Sequence, residues 1–128
     1  MSLLISTYNW EDALRLCLLS ASVQTVLPDE IVIADDGSRE DTRKLIEDFR
    51  AIVKVPVVHI WQEDEGFRLT TIRNKAIACA KGDYIIQIDG DVIMERHFIQ
   101  DHIEMMEKGY FVCGLSLIHI SEPTRLAL

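Results

Sequence analysis

Two carboxylates stand two positions apart, directly after a strongly apolar run in the second half of the chain. The run is YIIQI at residues 84–88, and Asp89-Gly90-Asp91 follows it. This spacing at a strand end directs both side chains to one side, and the glycine lets backbone or phosphate come close. The pair could bind a divalent cation, or it could be an acidic turn that caps the next segment. The buried run before it favours the cation site.

Two further acidic clusters also follow apolar runs. Their members are Asp35, Asp36, Glu63, Asp64 and Glu65. Together with the first pair they make seven of the chain's 21 acidic residues. If they converge, they repel one another unless a cation lies among them. Because all of them are oxygen ligands, we expect Mg²⁺ or Mn²⁺ together with an anionic ligand.

The string Asp35-Asp36-Gly37-Ser38 allows two interpretations, and the residues alone leave both open. It could be an Asx-turn followed by a helix that Ser38 caps. Alternatively, one carboxylate could accept hydrogen bonds from a nucleobase imide or a ribose hydroxyl.

Two arginines follow the acidic cluster at residues 63–65. Arg68 and Arg73 are candidate partners for a diphosphate, because a guanidinium fork matches phosphate oxygens. The alternative for both is a solvated helix face. We expect Trp10 and Trp61 to pack inside the protein.

The elements that position these residues follow from hydrophobic periodicity. Strands are predicted at 2–6, 30–34, 57–61, 84–88 and 110–113. Helices are predicted at 10–23, 39–50, 69–80 and 98–108, with Asn9 and Ser38 as the first two N-caps. Apolar strands that alternate with helices predict an α/β fold, with a mostly parallel sheet between helix layers. The carboxyl ends of such strands line a ligand crevice, and the acids follow those ends.

Length and composition limit the class of protein. The 128 residues, 48% of them hydrophobic, fit one globular domain. A net charge of −8 argues against a nucleic-acid surface. No apolar run approaches the roughly 20 residues of a membrane span. Three cysteines in apolar surroundings are expected to be buried free thiols, so we expect a cytoplasmic protein or one at the inner face of the membrane.

The last residues differ in character from the rest. Residues 115–125 read LSLIHISEPTR, which matches the translation of a transposase-type sequencing-library adapter at all eleven codons. A genuine strand and turn is the alternative. We therefore expect a truncated domain at residues 1–114 and a non-native tail at residues 115–128.

Four sequence blocks together resemble the family-2 glycosyltransferases of the GT-A fold, which is Rossmann-like. The blocks are ISTYN at 5–9, ADDGS at 34–38, EDEGFR at 63–68 and RNKAIACAKGDYIIQIDGD at 73–91. EDEGFR is similar to the branch with chondroitin-polymerase-like and galactosyltransferase-like domains. The resemblance covers residues 2–114 and implies a domain that binds a nucleotide sugar.

The resemblance also implies roles for the matching residues. The nucleotide-binding positions would be Ser6, Thr7, Asp35, Asp36, Asp64, Arg73 and Asp89. Among them, Asp36 would contact the uracil and Arg73 would lie near the diphosphate. Asp89 and Asp91 would form the metal pair, with Asp91 on the metal and Asp89 nearer the ribose and the metal-bound phosphate.

The implied reaction is transfer of a sugar from a nucleoside diphosphate, UDP by resemblance, to a hydroxyl of a glycan or glycolipid, with inversion. In the family the carboxylate base lies beyond the position of residue 114, so no residue here is assigned as catalytic. We expect this chain to bind the donor only. The alternative is a non-catalytic nucleotide-binding fragment or an unstable truncation product. A receiver module would need an acidic pair after the first strand, and a nucleotidyltransferase would need a Gly-rich basic loop there; ISTYN has neither.

Overall fold

A computed structural model of the protein describes residues 1–66, 68–104 and 112–113. The strands are β1 (Ser2–Thr7), β2 (Glu30–Asp35), β3 (Val57–Trp61), β4 (Ile85–Asp89) and β5 (Val112–Cys113). The helices are α1 (Glu11–Ser22), α2 (Glu40–Arg50), α3 (Leu69–Cys79) and α4 (Phe98–Glu104). In chain order, the first seven elements, from β1 to β4, lie within two residues of their predicted bounds. The predicted ends at 105–108 and 110–111 lie outside the described residues.

The five strands form one sheet in the order β3-β2-β1-β4-β5, and every pairing is parallel. The chain builds outward from β1 through β2 to β3, and then crosses back to β4 on the other side of β1. The strand order therefore reverses between β1 and β4, which is where open α/β sheets bind ligands. Ser6 and Asp89 are register partners across this point.

Alternate residues of the central strands enter two apolar clusters on opposite faces of the sheet. The larger cluster joins the sheet to α1, α2 and α4 and includes Leu3, Ile5, Leu18, Ile46 and Phe98. The smaller cluster joins it to α3 and includes Leu4, Ile72 and Ala76. The predicted arrangement of a parallel sheet between helix layers is confirmed. In the described part of the chain, no helix combines the length and the apolar character needed to cross a membrane.

Both predicted helix caps are wrong, and one pair of contacts explains both. The observed N-cap residues are Trp10 and Arg39, and neither makes a side-chain capping hydrogen bond. Asn9 instead accepts a hydrogen bond through Oδ1 from the backbone N–H of Arg39, at 2.8 Å. The Oγ of Ser38 accepts one from the backbone N–H of Asn9, also at 2.8 Å. The two polar residues therefore join the loop after β1 to the loop after β2.

Three residues predicted to be buried lie at the surface. Trp10 is 59% exposed because it precedes α1 at the open end of the sheet. Trp61 is 50% exposed because it ends β3, the edge strand. Cys79 is exposed at the last residue of α3, beyond the buried positions Ile72 and Ala76. Cys17 is a buried free thiol, as predicted.

A buried carboxylate joins the amino ends of the central strands. Glu30 begins β2, and its Oε2 accepts hydrogen bonds from Ser2 Oγ at 2.6 Å and from the backbone N–H of Lys81. Burial by itself raises the pKa of the Glu30 carboxyl, but these hydrogen bonds outweigh it and lower the pKa below its usual 4.5. Glu30 thus fixes the turn between α3 and β4, at the end of the sheet away from the acidic clusters.

Glu30→Gln is expected to make stability less sensitive to acid. A carboxyl with a lowered pKa stabilises the fold above its unfolded pKa, and that contribution is lost as pH falls through the folded pKa. The unfolding free energy of the wild type should therefore fall more steeply than that of the variant below pH 4.5. Near neutral pH the variant should lose about 1–3 kcal/mol. Urea unfolding across the acidic range measures both, with exposed Glu63→Gln as the control. Equal acid slopes for wild type and Glu30→Gln would contradict the assignment.

Candidate functional site

A cleft of about 490 Å³ opens at the carboxyl ends of the central strands. Its carboxylates are Asp36 after β2, Asp64 after β3, and Asp89 and Asp91 at the end of β4. Ser6 and Thr7 line it at the end of β1, and two aromatic residues, Tyr8 and Trp10, line it from the loop that follows. The cleft therefore coincides with the reversal of strand order.

The structure brings most of the predicted site residues together, but not all of them. Five of the nucleotide-binding candidates line the cleft: Ser6, Thr7, Asp36, Asp64 and Asp89. Asp35 and Arg73 lie outside its lining. The expectation that all seven acids converge is wrong, because Asp35 is buried and the side chains of Glu63 and Glu65 are also outside the lining. Four carboxylates remain to repel one another.

Arg73 brings a positive charge to the Asp89 side of this acidic end. Arg73 Nη2 donates hydrogen bonds to Asp89 Oδ1 at 2.6 Å and to Ser6 Oγ at 3.2 Å. Ser6 Oγ also donates to Asp89 Oδ1 at 3.2 Å. The Arg73 Nε is buried and has no hydrogen-bond partner among the described residues. One oxygen of Asp89 is thus held by the protein, and Oδ2 has no such partner in the described structure.

Asp91 differs from Asp89 in its side-chain contacts. It is exposed, and its side chain makes no hydrogen bond or ion pair within the described ranges. Gly90 between them donates its N–H to the Ser6 carbonyl at 2.6 Å, and a Cβ at Gly90 would come within 2.7 Å of that oxygen. Only glycine allows this approach of β4 to β1. The sequence interpretation of Gly90 as a close-approach residue agrees with this contact.

The donor chemistry of this pair fits a hard cation that is completed by its ligand. Among the residues that the structure describes, no group of three His, Cys, Asp or Glu side chains could hold a metal alone. Mg²⁺ typically takes one or two carboxylates and completes its shell with substrate phosphates and water. Asp89 Oδ2 and the Asp91 carboxylate provide that number of ligands.

The thiol of Cys17 lies under the same strand end. Its Sγ is 4.0 Å from the backbone oxygen of Asp89. Burial first, and then the charges of Asp91 and Asp89, raise the pKa of Cys17 to about 12. Cys17 therefore stays a protonated, small apolar group beneath the acidic pair.

The two neighbouring aspartates after β2 have different surroundings. Asp35 is fully buried; its Oδ1 accepts from the Ser38 backbone N–H at 2.8 Å, and its Oδ2 lies 2.8 Å from His59 Nε2. Asp36 lines the cleft with 3% exposure. Asp35 therefore stabilises the turn before α2. The prediction that one carboxylate binds a nucleobase or ribose applies to Asp36, which lines the cleft.

Asp64 is fixed by contacts from two other loops. Tyr8 Oη donates a hydrogen bond to Asp64 Oδ2 at 2.7 Å, and this bond raises the pKa of Tyr8. Gly37 has φ +91°, and a Cβ there would lie 2.5 Å from the Asp64 nitrogen. The loops after β1, β2 and β3 therefore meet at Asp64.

Sequence reasoning missed three polar or aromatic residues of this region. Tyr8 and Trp10 line the cleft, and Gln62 binds Asp36 from behind. The available signal was position, because Tyr8 and Gln62 directly follow strands β1 and β3. Polar or aromatic residues at the carboxyl ends of parallel strands deserve the same weight as acids there.

The fold and the cleft together define a parallel α/β domain with an acidic ligand crevice at its topological switch point. The sequence model of glycosyl transferase family 2 matches residues 2–127. The chain belongs to this family. The match extends through residues 115–127, and the boundary at residue 114 stays a prediction.

Two relatives of this chain are much longer than the chain itself. The chain is 29% identical to chondroitin synthase from Escherichia coli over 107 residues, which cover 83% of this chain and 15% of that protein. It is 31% identical to glycosyltransferase GlyA from Streptococcus pneumoniae over 108 residues, 84% of this chain and 14% of the relative. The chain thus spans less than a fifth of either relative.

Solved structures agree with the fold. The S. aureus protein TarS, residues 1–349, in complex with UDP-GlcNAc, superposes with a TM-score of 0.67 at 25% sequence identity. The superposition covers 80% of this chain and 30% of that one. The GT-A fold that the sequence blocks imply is confirmed.

Proposed function

We propose that this chain binds a nucleoside-diphosphate sugar, with UDP as the nucleotide, and forms the donor side of a metal-dependent glycosyltransferase. The transfer would go to a hydroxyl of a glycan or glycolipid, with inversion at the sugar. The observation that carries the proposal is the cleft at the reversal of strand order, with Asp36 in one wall and the Asp89 and Asp91 pair in another.

The nucleoside is expected at the β2 side of the cleft. Asp36 is an acceptor at the cleft wall, which suits the N–H of a uracil base. Ser6 and Thr7 lie between that wall and β4, beside the expected path of the nucleotide. Asp64 offers its Oδ1 to a ligand, because Tyr8 binds only Oδ2. Asp35 acts behind this surface by holding the turn at Ser38.

The diphosphate is expected at the β4 side. Asp91 and Asp89 would hold Mg²⁺ or Mn²⁺, with Asp89 nearer the ribose. The cation would neutralise charge on the leaving diphosphate. Arg73 adds a positive charge behind Asp89 and fixes the orientation of its carboxylate. Support comes from TarS, whose structures contain UDP-GlcNAc and UDP and share this fold.

The chain is proposed to supply donor binding and not the complete reaction. It spans a small part of the relatives, 15% of chondroitin synthase and 30% of the TarS chain. The resemblance puts the carboxylate base beyond residue 114, so we assign that role to no described residue. Acceptor binding and deprotonation would then depend on other parts of the protein.

The test is calorimetric titration with UDP, first with Mn²⁺ and then with EDTA. Without a cation, four cleft carboxylates repel the diphosphate; with a cation, that repulsion becomes attraction. We expect affinity to be at least about tenfold higher with Mn²⁺ than with EDTA, which corresponds to the lower range for a charge-assisted contact. Adenosine diphosphate serves as the matched control for phosphate binding alone.

Equal affinity for UDP with Mn²⁺ and with EDTA would contradict the metal role. Absence of UDP binding under both conditions would contradict the donor site itself. Equal affinity for uridine and adenosine diphosphates would be consistent with a diphosphate site but would contradict the assignment of Asp36 to a uracil base.

A further inference from the structure

Gln62 is a buried glutamine whose whole amide group is used. It directly follows β3 and is 6% exposed. Its Nε2 donates to Asp36 Oδ1 at 2.7 Å and to the Arg68 backbone carbonyl at 3.1 Å. Its Oε1 accepts from Lys75 Nζ at 3.3 Å. Each donor and acceptor of the amide therefore has a protein partner.

These partners leave only one orientation for the amide. Both neighbours of Nε2 are acceptors, a carboxylate and a carbonyl, and the neighbour of Oε1 is a cation. A flipped amide would bring oxygen against both acceptors and NH₂ against the ammonium of Lys75. Orientations of Gln side chains are set by such networks. Gln62 must therefore donate to Asp36.

The other oxygen of Asp36 is also held by an N–H group. Its Oδ2 accepts from the backbone N–H of Arg68 at 2.9 Å. With one fixed N–H donor on each oxygen, the Asp36 carboxylate is held in one orientation and offers acceptor lone pairs to a ligand. Asp36 lines the cleft in this orientation. A carboxylate acceptor binds a base that points an N–H group at it. It repels a base that points a lone pair at it.

We propose that Gln62 is a specificity-determining positioning residue, which holds Asp36 as an acceptor so that the cleft selects uracil over cytosine. Uracil carries an N–H at ring position N3, whereas cytosine carries a lone pair at that position. Discrimination follows because the wrong base leaves a buried polar group unpaired. The inference rests on the proposed donor site, and it adds a residue that does not itself contact the base.

The experiment compares the affinities of UDP and CDP, with Mn²⁺ held constant. Gln62→Glu keeps the size of the side chain but turns the donor into a second carboxylate. Two carboxylates this close share a proton, so Asp36 can then donate as well as accept. Gln62→Leu removes the donor without adding charge. Gln100→Leu is the matched control, because Gln100 binds Thr25 and does not line the cleft.

Wild type and Gln100→Leu are expected to prefer UDP over CDP by about tenfold or more, the range for one hydrogen bond to a charged group. In both Gln62 variants the preference should fall about tenfold. A merely structural role would weaken both nucleotides equally and leave the ratio unchanged. Thermal unfolding of each variant identifies any loss of folded protein. Because Gln62→Glu and Gln62→Leu change the site differently, a folding defect in one leaves the other as the test.

Three results are distinguishable. If the wild type binds neither nucleotide, the proposed donor site fails. If the wild type binds UDP and CDP equally, donor binding stands and the role of Gln62 is overturned. If the wild type prefers UDP and folded Gln62 variants keep the same ratio, the role of Gln62 alone is overturned.

Discussion

Asp91→Asn is expected to remove most of the gain in UDP affinity that Mn²⁺ provides. Asp91 is exposed, makes no side-chain contact in the described structure, and lines the cleft beside Asp89. Asparagine keeps the shape and loses the charge. Affinity in Mn²⁺ should fall by about tenfold to a hundredfold, the range for a lost charge-assisted contact. In EDTA the variant should bind UDP as well as the wild type or slightly better, because one repelling charge is gone.

The matched control is Asp83→Asn. Asp83 is an exposed aspartate just before β4, at the opposite end of the strand from Asp91. It carries the same change in net charge, so it separates a local effect from a change in the field of the whole protein. For each variant, the ratio of UDP affinity in Mn²⁺ to UDP affinity in EDTA is measured. If this ratio is the same for Asp91→Asn and Asp83→Asn, the metal role of Asp91 is refuted.

Gly37→Ala is expected to destabilise the fold much more than Gly66→Ala. Both glycines have positive φ, +91° and +88°, so both substitutions strain the backbone. A Cβ at Gly37 would also meet the Asp64 nitrogen at 2.5 Å, whereas a Cβ at Gly66 meets nothing within 4 Å. We expect a loss of about 1 kcal/mol for Gly66→Ala from strain alone. For Gly37→Ala we expect about 2–4 kcal/mol, because overpacking adds to the strain.

Urea unfolding free energies measure this difference. Since the two alanine variants share the φ penalty, their difference reports the contact between the loops after β2 and β3. The same contact positions Asp64, so Gly37→Ala should also weaken UDP binding in the fraction that stays folded. Equal destabilisation by the two substitutions would mean that Asp64 does not pack against Gly37.

The regular elements could be predicted because their signals are local. Apolar runs such as EIVIA and the helical spacing of Leu14, Cys17 and Leu18 are properties of short segments. The caps were wrong because Asn9 and Ser38 meet across a sequence separation of 29 residues. A polar residue beside a helix start satisfies the local rule and can still bind elsewhere. Sequence periodicity does not contain the competing partner.

Four of the seven predicted acids line the cleft and three do not, and none of their contacts could be predicted. Asp89 and Asp91 were identified from spacing, because the end of one strand decides where both point. The separation of Asp35 from Asp36 could not be predicted, since it depends on His59 in β3 and on Gln62 just after that strand. Gln62 had only its position directly after β3 as a signal, and its role becomes clear only when its acceptor partners are known.

The reversal of strand order also has a consequence for how the protein folds. β1 meets β2 through partners such as Ser2 and Glu30, 28 positions apart, but the Ser6 to Asp89 contact spans 83 positions. Closing the longer chain segment costs more entropy, and contacts of high sequence separation form slowly. During synthesis, β1 and β2 are available to pair long before β4 emerges. The strand interface that carries the cleft is therefore expected to assemble after the β1 to β2 pair, and ligand binding can begin only at that later stage.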